Sequence, residues 1–270
     1  MNTATPHRPT GPTTPYLAAY TMSVARHDLV APPVEAVRAG EVNGLSDTSR
    51  SVRKASTTAG AALLAMSLLS AFGYLVAVKG LVVPGSAART ARNVTAHESL
   101  FRLGILNLYL VAALDVVAAR ALYRVFKPVS AGLSRLAASL RIAYAAVFII
   151  AIRQLFGALR TPSQALQHIN TFTNIWDAGL VLFGLSLFVL AHLAHRSGYV
   201  PKLLSALLAI AGFGYVFDTV VRALVQGSSS DVSAITGMGE FVFALWLVIR
   251  GRRIALCGSR SHDDSIRAGR

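Results

Sequence analysis

The chain has 270 residues, of which 54% are hydrophobic and only 14% charged, and its mean hydropathy is +0.54. A soluble domain carries about 25% charged residues, so this balance excludes an ordinary water-soluble globule. The net charge of +14 does not point to nucleic acid, because the basic residues sit mostly beside the ends of apolar stretches and no basic face with base-stacking aromatics accompanies them.

Residues 1–53 read as a disordered tail. Pro6, Pro9, Pro12, Pro15, Pro32 and Pro33 stand among Thr, Ala and scattered charges, with too little periodic apolar surface to offset the entropy of ordering. The tail contains no short apolar run of the kind a cleavable signal peptide needs, so the first span is expected to direct insertion. Met22 is an alternative start to Met1.

Six apolar stretches follow, at approximately 60–83, 100–123, 133–159, 172–193, 203–225 and 232–249. Each is about 20 residues long and able to cross a bilayer core as a helix. The expected fold is therefore all-α, a six-helix transmembrane bundle over residues 54–253, followed by a basic tail at 254–270. In the first link, Pro84 and Gly85 end the span, and Ser86 is placed to cap a short helix carrying Ala87, Ala88, Ala91 and Val94. Asn93 to Thr95 matches a glycosylation sequon, a triplet common by chance.

Flanking charge sets the expected orientation. Arg50, Arg53, Lys54, Arg124, Lys127, Arg135, Arg196, Lys202, Arg250, Arg252 and Arg253 flank one side, against Lys79, Arg89, Arg92, Arg102 and Arg160 on the other. This bias puts both termini in the cytoplasm. The compartment is a cell membrane, plasma or bacterial inner. Membrane lipids are the expected partners, a small-molecule solute and a homo-oligomer stay open, and nucleic acid is not expected.

Charges inside the spans carry the functional reading. An Asp or Arg at a helix centre costs about 2.5–3.5 kcal/mol, and each Leu, Ile, Phe or Val returns only about 0.3–0.6. Asp115 and Arg141 stand at similar depth on neighbouring spans, ringed by Ala112, Ala118, Ala119 and by Ala137, Ala138, Ala145, small residues that let helices approach. A buried Asp115–Arg141 ion pair is expected, either locking the hairpin or serving a site. Towards the other face, Asp177, Asp218 and Glu240, with Arg102 and Arg153 at the same depth, form a candidate outward-facing pocket. The alternative is that each side chain snorkels independently.

Other chemistry is not supported. His192 and His195 read as interfacial residues, and no metal site or cofactor is expected. The sequence has no P-loop or Gly-x-Ser-x-Gly elbow. The lone Cys257 cannot form an internal disulfide.

Several local patterns occur together: Val83, Pro84, Gly85; Ala96, His97, Glu98, then Phe101, Arg102 and Gly104; Asp115; Arg196, Ser197, Gly198, Tyr199 and Pro201; Gly212, Gly214, Tyr215 and Asp218; and Gly239, Glu240 with Ala244, Leu245 and Trp246. In these the stretch from about Lys54 to Arg253 resembles a bacterial multi-pass membrane family catalogued as domain of unknown function 4386. The family has no established activity, so no catalytic residue carries over. The resemblance implies that His97, Glu98 and Arg102 belong with Asp218 and Glu240 in the outer site. The long tail departs from the family's compact form, in keeping with a start at Met22.

The leading expectation is binding or transport of a small polar or amphipathic solute at that outer pocket, formed by His97, Glu98, Arg102, Arg153, Asp177, Asp218 and Glu240. The alternative is a structural or regulatory membrane partner. An enzyme acting on a lipid-linked substrate through His97 and Glu98 ranks below both, since no activated nucleophile supports it.

Overall fold

In a computed structural model of the chain, residues 34–224, 232 and 237–251 are described. The expected C-terminal tail, most of the expected N-terminal tail and Met22 lie outside them. Two compact units divide the chain, Met1–Asp47 and Thr48–Arg270, and all packing below lies within the second. Helix α1, Val34–Ser70, begins within the stretch that the sequence assigns to the tail.

The first apolar stretch does not end as a regular helix. It passes through a π-helical turn, Ala71–Val76, and a 3-10 turn, Lys79–Leu81. In the wide turn Ala77 N donates to Phe72 O at 3.1 Å, an interruption of the ordinary i to i+4 ladder. Beside it, Asn107 Nδ2 donates to Leu69 O at 2.7 Å. That bond ties the irregular end of the first span to the third helix.

The short helix α2, Ala87–Ala96, starts where Ser86 Oγ accepts from Arg89 N at 3.4 Å. Asn93 of the sequon is engaged, its Nδ2 donating to Leu81 O at 3.2 Å. Four long elements follow: α3, Glu98–Phe126; α4, Ala131–Arg160; α5, Ala165–Arg196; and α6, Lys202–Leu224. The last described helix is α7, Met238–Arg250.

These helices pack in chain order, α3 on α4, α4 on α5, α5 on α6 and α6 on α7. Ser56 on α1 donates to Leu247 O on α7 at 3.3 Å, closing the ring. Where α5 crosses α6, a Cβ on Gly184 would stand 2.8 Å from Gly212 O, and one on Gly212 would stand 2.8 Å from Gly184 O. Only glycine at both positions permits this approach. At the link between α5 and α6, the Tyr199 hydroxyl donates to Val125 O at 3.0 Å, and burial pushes its phenol above the ordinary range.

Large apolar side chains stand on the outer surface as well as in the core. Leu68, Leu106, Leu203, Phe213 and Ile249 are exposed, while Phe101, Phe148, Phe172, Phe243 and Leu187 are buried. Such a surface is stable against hydrocarbon and costly against water. Among the described residues, five helices are long and apolar enough to cross a membrane: Arg50–Leu81, Glu98–Phe126, Ala131–Arg160, Pro162–Arg196 and Lys202–Leu224. The sixth apolar stretch is described only at residue 232 and from 237 onward. Helix α7 has 13 residues, which rise about 20 Å, short of the roughly 30 Å hydrocarbon core.

Candidate functional site

Arg141 is the centre of the buried polar structure. Its Nε lies 2.5 Å from Asp115 Oδ1 on α3, and its Nη2 lies 3.1 Å from Glu240 Oε1 on α7. From α5, the Phe183 ring lies against the guanidinium, 4.7 Å from its carbon to the ring centroid. Asp115 is 1% exposed and Arg141 2%. Small residues explain the depth: Ala112, Ala118, Ala119 and Ala145 are buried where α3 meets α4, leaving room for a guanidinium between them.

Aromatic rings pack against this triad. Phe183 packs on Tyr144 at 4.9 Å and edge-on to Tyr215 at 5.1 Å. The Tyr144 hydroxyl accepts from Trp176 Nε1 at 2.9 Å. Trp176 in turn meets Tyr74 edge-on at 4.7 Å and Phe148 at 5.3 Å. A cation against a ring face, inside a cage of further rings, is held by electrostatics and by packing together.

The residues expected in one outer pocket fall into separate groups. Glu98 and Arg102 pair one turn apart on the exposed start of α3, Arg102 Nε donating to Glu98 Oε1 at 2.8 Å. His97 stands at the N-cap of that helix, exposed, with its Nδ1 3.1 Å from Asn93 O. Arg153 is exposed on α4, in a surface groove with Gln154 and Arg160. Asp177 and Asp218 do come together, bridged by Arg222 at 2.7 Å and 4.0 Å. Asp218 is 1% exposed and its Oδ1 accepts from Val232 N at 3.2 Å.

Glu240 joins Arg141 instead of Asp218. Its position in the first turn of α7, and the way α7 packs between α1 and α6, carry the carboxylate inward to the guanidinium. Sequence spacing alone assigns it the shallower level of Asp218. Sequence reasoning also passes over Arg222, the bridge between Asp177 and Asp218, and over Asn107. An amide within an apolar stretch is the signal that points to Asn107. Among the described residues, no group of three or more His, Cys, Asp or Glu side chains is arranged to hold a metal ion.

Fold and site together define a multi-pass helical membrane protein with ionised groups gathered inside its bundle. Residues 58–251 match the family described as Domain of unknown function (DUF4386), and the chain belongs to that family. It is 38% identical, over 151 residues, to an uncharacterised protein of Archaeoglobus fulgidus, a match covering 56% of this chain and 85% of the relative. No solved structure matches the chain.

Proposed function

We propose that the chain crosses a cell membrane six times, with both ends in the cytoplasm, and binds or transports a small polar or amphipathic solute at the charges inside its bundle. The observation that carries this reading is the meeting of Asp115, Arg141 and Glu240, from three helices, at one point, the first two buried and Glu240 half-buried. Taking ions out of water costs several kcal/mol each, and well-packed apolar side chains often stabilise as well or better. Charge at that depth is therefore retained for use. Asp177, Asp218 and Arg222 form a second charged layer, and His97, Glu98 and Arg102 an exposed group at the head of α3. In this reading a solute meets those groups before it reaches Arg141, in a protein surrounded by membrane lipids.

The test begins with native mass spectrometry of the protein extracted with its lipids, which identifies the class of any retained molecule. Flux of that class into proteoliposomes is then compared between the wild type and a D218N/E240Q variant. The proposal expects flux to fall at least tenfold, and unchanged flux in a folded variant rejects it.

A structural or regulatory role without transport is the second reading, favoured by the closeness with which Asp115, Glu240 and Phe183 enclose Arg141. It expects an all-apolar replacement of the triad to keep every property of the protein.

A further inference from the structure

We propose that the Asp115–Arg141–Glu240 triad binds one exchangeable proton. The inference rests on the triad being a working site, and it names the ion that the site holds. Two carboxylates face one guanidinium, and Arg222, among the described residues the other arginine that is not exposed, is engaged with Asp177 and Asp218. With every group ionised, the triad carries one uncompensated negative charge where Asp115 and Arg141 are buried and Glu240 half-buried, so hydration spreads it poorly. A single proton cancels that charge.

The geometry supplies a place for the proton. Asp115 Oδ1 is taken by Arg141, but Asp115 Oδ2 is buried with no hydrogen-bond partner. A narrow crevice with room for about one water molecule lies beside Arg141, lined by Ser134 and Ser186 and otherwise mostly by apolar side chains. Ser134 is 1% exposed, and its hydroxyl too has no partner within the protein. A buried hydroxyl left so by the protein is ordinarily satisfied by ordered water. Ser186 Oγ donates to Phe183 O at 2.6 Å, which leaves its lone pairs available to accept.

The proton arrives as hydronium, leaves water behind and turns one carboxylate into a carboxylic acid; release reverses the step.

The ionisable groups around the site come from several elements. Asp115 and Tyr123 belong to α3, Arg141 and Tyr144 to α4, Tyr215 and Asp218 to α6, and Glu240 to α7. Tyr144 and Tyr215 lie within electrostatic reach of the triad. From α5 come Phe183 and Ser186, which do not titrate, and Tyr74 stands behind Trp176.

Infrared difference spectroscopy on the full chain in phosphatidylcholine nanodiscs at neutral pH tests this. Wild type should show a carboxylic-acid carbonyl band that D115N and E240Q each remove, because either leaves one acid to one arginine, and that D218N keeps. The band should shift to lower frequency in deuterated buffer. A band that both D115N and E240Q leave in place, or no such band in the wild type, overturns the proposal. The measurement uses no solute, so its failure is separate from a failure of solute flux.

Discussion

Arg141 on α4 and Glu240 on α7 are 99 positions apart in the chain and 3.1 Å apart in space. With Asp115 on the other side of the same guanidinium, the contact makes a triad of what sequence reasoning treats as a pair and a distant acid.

Unequal costs follow for the three members. Arg141→Met leaves buried Asp115 and half-buried Glu240 without a counter-charge and should cost about 3–5 kcal/mol. Glu240→Gln keeps the Asp115–Arg141 pair and should cost less than about 1.5 kcal/mol. Thermal unfolding in detergent, followed by the fluorescence of a fused reporter, gives the ranking. A smaller loss for Arg141→Met than for Glu240→Gln contradicts it.

Charge exchange has a condition attached. In a D115R/R141D variant the new acid at position 141 faces Glu240, so folding should recover only slightly. Adding Glu240→Lys should raise the yield of monodisperse protein above that of the double variant. Equal yields from the two would mean that the third contact carries no weight.

The crossing of α5 and α6 should be intolerant of a single methyl group. Gly184→Ala puts a Cβ 2.8 Å from Gly212 O, and the shift required should cost about 1–3 kcal/mol. Gly132→Ala, on α4 with nothing within 4 Å, should be neutral or stabilising by up to about 1 kcal/mol. Melting temperatures of the two variants provide the comparison.

Asn107→Leu should loosen the end of the first span. The substitution removes the 2.7 Å bond to Leu69 O and strands a buried carbonyl, at about 1–3 kcal/mol. Amide exchange at residues 69–77 should rise more than exchange in α5, and uniform protection across both would count against a local role.

The six crossings proposed above would put Cys257 on the cytoplasmic side. A membrane-impermeant maleimide should label it only after cells are permeabilised, and labelling in intact cells would reverse the orientation or change the number of spans.

Sequence by itself determined the solvent and the building elements. Apolar runs near 20 residues can satisfy their backbone in lipid only as helices, so α3, α4, α5 and α6 were legible at once. The cap at Ser86 and the shared depth of Asp115 and Arg141 were legible as well, because both depend on spacing within one helix or across one short link. Tertiary structure decided what spacing cannot carry. Glu240 belongs to Arg141 because α7 packs between α1 and α6; Arg222 bridges Asp177 and Asp218 across two helices; and the π-helical turn sits opposite Asn107. In each case the partner is set by how helices rotate and cross. A one-dimensional pattern fixes the face that a side chain occupies, and only the packed bundle fixes which other face it meets.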